Sequence, residues 1–285
     1  MLPLALTLSL SACTPTGAPP ANGGAVQPGT PATPVPETLT PATLAATPTQ
    51  PGVTTGMAAN LNSFSLKLYG EVAKERKGNL AVSPLGSFIL LQMLYEGSTG
   101  PAHDEMATVL GLSPTSLAEV GALVTELDAL PSLALAQKIY LDKKAKLVEA
   151  YLQRVGPMLA EPVQVLPFAD DPPAAVRIIN DWVALRTKGL IKNFLSPLPP
   201  LTVSVLVSVL HFQGKWLYQF PKDATAPADF TLSDGTKLKV SMMRLQTKGV
   251  ALFTVPAGRG VILPYTDDTE MVLTLPNAGT SADGL

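Results

Sequence analysis

Between Leu201 and Phe220 the chain reads LTVSVLVSVLHFQGKWLYQF, and no other stretch limits its fold so tightly. The run is almost wholly apolar through Phe212, turns polar at Gln213-Gly214-Lys215, and resumes with Trp216, Tyr218 and Phe220. A strand that does not alternate apolar with polar asks for cover on both faces, and such strands lie inside large, covered sheets. The rest of the chain therefore has to supply two layers around residues 201–212.

Composition allows this. With 46% hydrophobic and 15% charged residues in a chain of 285, there is material for one large domain or two ordinary ones. A formal net charge of −2 provides no basic face, which excludes nucleic acid as a partner. Two histidines and one cysteine leave little for a metal site, and no cofactor motif is present, so neither metal nor cofactor is expected. No apolar run approaches the roughly 18–20 residues of a spanning helix.

The leader and the segment behind it are read separately from the fold. Residues 1–13, MLPLALTLSLSAC, end in Leu10-Ser11-Ala12-Cys13, which resembles a bacterial lipobox with Cys13 as the lipid attachment site. Burial of acyl chains is worth about 0.8 kcal/mol per CH₂, so a multiply acylated cysteine anchors firmly. The first Lys or Arg is Lys67, so the positive region of a signal peptide is missing, and the start codon would lie elsewhere or Cys13 would be a stray thiol in an apolar leader. Residues 14–56 hold ten prolines, no aromatic residue and one charge, Glu37. Such a segment cannot bury enough surface to offset its ordering entropy. It reads as a disordered tether reaching on the order of 100 Å if polyproline-like. Together these readings expect an exported protein, membrane-anchored or extracellular.

From Met57 to Leu285 the pattern is that of a folded domain. Helices are expected over 57–77, with Leu61, Phe64, Leu68 and Val72 on one face, and from Ser83-Pro84 onward, where an all-round apolar helix should be buried. A short strand is expected at Leu80–Val82. Further helices are expected at 101–111, 116–130, 148–159 and 172–189, with strands over LALAQKIYLDK, of alternating then mixed burial, and VQVLPF. Beyond residue 201 the chain turns to strands, with a hairpin about Asp234-Gly235 and three more runs, GVALFTV, RGVILPY and EMVLTLP. Helices first and strands later is the signature of an α+β fold.

The order of these pieces resembles the serpins, the serine-protease inhibitors. NLAVSPLGSF is similar to that family's buried strand and helix start, and EGSTGPAHDEMATVLGL to its following turn and helix. IINDWVALRTKGLIKNFL matches its Asn-x-Trp-Val-x-x-x-Thr-x-Gly-x-Ile pattern at Asn180, Trp182, Val183, Thr187, Gly189 and Ile191. VLHFQGKWLYQF matches Phe-x-Gly-x-Trp-x-x-x-Phe at Phe212, Gly214, Trp216 and Phe220. The resemblance implies that residues 203–212 are the third strand of a large sheet, covered on one face by the helix carrying Trp182 and packed on the other against a second sheet. It implies that Trp216 marks the breach, where an inhibitory loop first enters, and that Ser83, Gly86 and Ser208 lie in the shutter. Gly86 stands where the family usually has serine and Ser208 where it usually has asparagine.

Inhibition in the family rests on a loop that a serine (or cysteine) protease cleaves and that then inserts as a new strand beside the third. The family's remaining strands and reactive loop come after LPNAGTSADGL, so the 285 residues are expected to form a partial serpin domain that folds poorly and does not inhibit by itself. The alternative is a non-inhibitory, lipid-tethered surface protein with a binding or structural role. An enzyme is disfavoured: the G-x-S-x-G elbow of serine hydrolases is absent. His103 reads as a solvated or capping residue, and His211 as a hydrogen-bonded strand residue. Asp267, Asp268 and Glu270 read as a solvated turn rather than a catalytic carboxylate pair.

Overall fold

The computed structural model describes residues 38–39, 55–76, 78–113, 116–199, 201–232, 234–247 and 249–277. The chain divides into two compact units, Met1–Ala129 with Ala134–His211, and Leu130–Leu133 with Phe212–Leu285. Cys13 and its leader lie outside the described residues, as does most of the segment read as a tether.

In the first unit α1 (Thr55–Glu75) buries Phe64, whose ring meets Phe88 of α2 (Pro84–Glu96) edge-on at 5.5 Å. Pro84 occupies the first turn of α2, where its missing N–H costs nothing. Phe88, Ile89, Gln92 and Met93 are buried while Leu90, Leu91 and Leu94 are half-buried, so this helix is sealed on one side and not all round. Three helices follow: α3 (Pro101–Leu110), α4 (Ser116–Asp128) and α5 (Glu149–Val155). The strand expected at Leu80–Val82 does not form. Among the described residues no strand pairs with it, and an isolated segment has no ladder to join.

Four strands make the sheet of this unit: β1 (Thr38–Leu39), β2 (Leu133–Asp142), β3 (Val163–Leu166) and β4 (Ser204–Phe212), in the order β1-β3-β2-β4. β2 and β3 run parallel with Tyr140 opposite Gln164, and β1 pairs antiparallel with the far side of β3. The last eight residues of β2 are all buried, on both faces, where alternating then mixed burial was expected. β4 behaves differently from the reading of its sequence. Val205, Val207 and Val209 are buried, whereas Ser204, Leu206, Ser208 and Leu210 are only half-buried, so the strand alternates after all. Ser208 faces the first turn of α2 at Gly86. β2 has strand neighbours on both sides, while β4 ends the sheet among the described residues, and one of its faces is sealed by a helix.

In the second unit β5 (Ala226–Thr231) and β6 (Lys237–Met242) form the expected antiparallel hairpin. Asp234 Oδ1 accepts from the Thr236 N–H at 2.8 Å and tightens the turn. β7 (Ala251–Val255), β8 (Gly258–Pro264) and β9 (Glu270–Pro276) form an antiparallel three-stranded sheet, with Ile262 opposite Ala251 on one side and Val272 on the other.

Candidate functional site

The face of the first sheet is covered by α6 (Pro172–Arg186). Asp171 caps it by accepting from Ala174 N at 3.0 Å, and Pro172-Pro173 fill the first turn. The last helical residue is Arg186, and Gly189 closes the helix as expected: Lys188 and Gly189 take positive φ, 51° and 79°, and Gly189 N donates to Ala184 O at 2.7 Å. Ala175, Ile179 and Val183, four residues apart, are fully buried and meet Tyr140 of β2, Leu166 of β3 and the three buried valines of β4.

The polar residues of the Asn-x-Trp pattern each make a defined bond here. Asn180 holds the returning chain by both ends of its amide: Nδ2 donates to Leu195 O at 3.3 Å and Oδ1 accepts from Leu195 N at 2.8 Å. Thr187 donates from Oγ1 to Val183 O at 2.8 Å and accepts from Ile191 N at 3.1 Å. Gly189 supplies the left-handed turn between them. Trp182 stands edge-on to Tyr140, ring centres 6.3 Å apart, and donates its Nε1–H to Glu161 at 2.8 Å.

Glu161 is the residue the sequence reading missed. One oxygen accepts from Trp182 and from Arg186 Nη2, and the other from Lys138 Nζ at 2.5 Å. Lys138 is buried in the middle of β2, its ammonium 5.2 Å from the Tyr140 ring centre and 5.7 Å from that of Trp182. Partial burial by itself would raise the Glu161 pKa, but hydrogen bonds from Lys138, Trp182 and Arg186 outweigh it and hold the carboxyl at about 2. Burial, with the Glu161 charge added, pushes the Tyr140 hydroxyl well above its ordinary range. The available signal was a lysine inside LALAQKIYLD, since a cation in a buried strand needs an anion.

In the second unit the Phe-x-Gly-x-Trp residues gather round Tyr265. A Cβ on Gly214 would lie 2.5 Å from the Tyr265 ring and 2.7 Å from that of Phe212, which is why the position takes no side chain. Phe212 meets Tyr265 edge-on at 4.9 Å, and Trp216 stacks on it at 4.3 Å and 12°. Phe220 meets Trp216 edge-on at 6.0 Å. Trp216 also pairs with Tyr265 as a single antiparallel bridge, flanked by Leu217 N to Pro264 O at 2.9 Å and Thr266 N to Lys215 O at 3.0 Å.

At the start of α2 the structure brings Gly86 and Ser208 together. A Cβ on Gly86 would lie 2.8 Å from Ser208 Oγ and 3.8 Å from Ser83 Oγ. Ser208 Oγ is buried without a hydrogen-bond partner, and the Ser83 side chain makes no capping bond. His103 stacks on Tyr95 at 4.0 Å, with Nδ1 3.3 Å from both Ser98 Oγ and Tyr95 O, so it is half-buried and fixed rather than solvated. His211 is half-buried in β4. Asp267 accepts from Ser132 N at 3.2 Å and from Thr269 Oγ1 at 2.8 Å, which lowers its pKa. With Asp268 at φ 62°, the segment is a turn in which the Asp267 carboxylate serves a backbone and a hydroxyl donor.

These geometries define an α+β scaffold whose conspicuous side chains are clasps and packing hubs. The chain belongs to the serpin family: the profile of Serpin, serine protease inhibitor, matches residues 59–284. Human Serpin I2 is 31% identical over 76% of this chain and 56% of its own length. A serpin-like protein of Thermococcus kodakarensis is 30% identical over 77% of this chain and 53% of its own. Ovalbumin from emu superposes with a TM-score of 0.72 at 25% identity, over 78% of this chain and 63% of that one. The chain thus spans little more than half the length of the curated relatives it matches.

Proposed function

We propose that the protein acts as an inhibitor of a serine (or cysteine) protease, exported and tethered to a membrane through lipid on Cys13, and that inhibition belongs to a longer whole of which this scaffold is part. The observation that carries the reading is β4: a nine-residue strand that ends its sheet among the described residues, with α6 sealing one face. A loop cleaved by a protease would add as a strand along that edge, gaining main-chain hydrogen bonds over its length. The protease's own nucleophile attacks the loop carbonyl, and the inhibitor contributes no reacting side chain. In this reading Trp216 marks the point of entry, and Ser83, Gly86 and Ser208 the point where the sheet parts.

The test is incubation of the whole protein with a panel of serine and cysteine proteases. A covalent complex that survives SDS is the expected result. Cleavage without any complex across the panel would overturn it and leave the second reading, a non-inhibitory lipid-tethered binding protein. One observation favours that rival: with Gly86 lacking a side chain and Ser208 Oγ unpartnered, no side-chain hydrogen bond links α2 to β4 at this point. Lipidation is tested separately: Cys13→Ser should abolish labelling by radioactive palmitate and release the protein from membranes.

A further inference from the structure

The attachments of α6 fall into two kinds. Asn180 and Thr187 bind the helix to its own trailing segment, through Leu195 and Ile191, and not to the sheet. The buried stripe of Ala175, Ile179 and Val183 does touch the sheet, but apolar contact is non-directional and tolerates sliding. Directional ties to the sheet occur at the two ends. Before the helix, Ala169 N donates to Asp142 Oδ2 of β2 at 3.0 Å. In its last turns, Trp182 and Arg186 donate to Glu161, which lies two residues before β3 and takes Lys138 of β2 on its other oxygen.

We infer that Glu161 is a positioning residue that joins α6, β2 and the approach to β3 into one mechanical body. The donors come from two elements, Lys138 from β2 and Trp182 and Arg186 from α6, and a single carboxylate satisfies all three. Charge-assisted hydrogen bonds of this kind are roughly twice as strong as neutral ones and fix orientation as well as distance. A buried lysine adds a penalty for letting go, because Lys138 would be left without its anion. It follows that α6 opens together with β2 and β3 rather than lifting alone. The inference concerns the scaffold and stands whether or not the whole protein inhibits a protease.

Hydrogen exchange of the full chain, followed by mass spectrometry through increasing denaturant, tests it. In the unsubstituted protein, amides of α6, β2 and β3 should share one opening, with a common denaturant dependence. Glu161→Gln keeps an acceptor for Trp182 but presents an amide donor to the cations. It should speed exchange of Leu185 and its neighbours by about tenfold or more, with β2 and β3 changing far less. Should Glu161→Gln not fold, Lys138→Met with Glu161→Gln removes the stranded cation and is read the same way. Separate opening of α6 in the unsubstituted protein would overturn the inference, as would a substitution that leaves α6 unchanged or speeds all three elements alike.

Discussion

β2 and β9 are both read from the sequence as strands, yet their fates are opposite. LALAQKIYLD carries Gln137 and Lys138 at its centre and is buried through its last eight residues. EMVLTLP has no charge after Glu270, and Met271, Val272, Leu273 and Leu275 are all exposed. Ranked by hydropathy, the order would be reversed. The difference lies in neighbours. β2 has a strand on each side and α6 above it, with Glu161 supplied to its lysine, while β9 ends a three-stranded sheet with neither face covered among the described residues. Apolarity states what a strand wants; the other elements decide whether it is met.

The two tryptophans allow this contrast to be measured, since Trp182 lies in the first unit and Trp216 in the second. Single-tryptophan variants, Trp216→Phe and Trp182→Phe, should report each unit's unfolding separately. The largest effect is expected for Ile179→Ala, whose side chain is fully buried between α6 and the sheet. Urea titration followed by Trp182 emission should show a loss of about 2–5 kcal/mol. A loss under about 1 kcal/mol would mean that α6 is loosely seated, which would remove the contrast.

Next comes Gly214→Ala, which forces a methyl group against Tyr265 and should destabilise the second unit by about 1–3 kcal/mol, read from Trp216. Acid should then separate the units. Glu161 has its folded pKa lowered to about 2 from 4.5, so its contribution is present above 4.5 and lost as pH falls toward 2. The first unit should therefore weaken over that interval, and Glu161→Gln should flatten this part of its pH profile. An unchanged acid limb would show that the Glu161 contacts do not hold the first unit together. The smallest effect is expected for Leu275→Ser on exposed β9, within about 0.5 kcal/mol. A loss above about 1 kcal/mol there would show that β9 is covered, and would erase the difference between the two strands.

Much of the architecture was legible in the chain. Pro84, Pro172 and Pro173 marked helix starts, and Gly111 stands in the left-handed conformation just past the end of α3. Asp234-Gly235 placed a hairpin, and the Asn180–Ile191 and Phe212–Phe220 motifs brought the family with them. These signals are local: a fixed φ, a missing N–H, a small residue where a ring passes. The failures were equally consistent. Leu80–Val82 looked like a strand because it is apolar, but a strand needs a partner, and none of the described strands pairs with it. β4 looked two-sided because its even positions include Leu206 and Leu210, yet they are only half-buried.

Glu161 shows the limit most clearly. As a letter it is one acid in a short loop, while as an atom pair it gathers Lys138, Trp182 and Arg186 from two other elements, separated by up to 25 positions along the chain. By itself the sequence determined which segments would be helix or strand, where most of them stop, and which family's residues recur. Only the tertiary structure decided which apolar faces are sealed and which charges meet. Local conformation depends on each residue and its near neighbours, whereas burial and ion pairing depend on groups that the fold alone brings within a few ångströms.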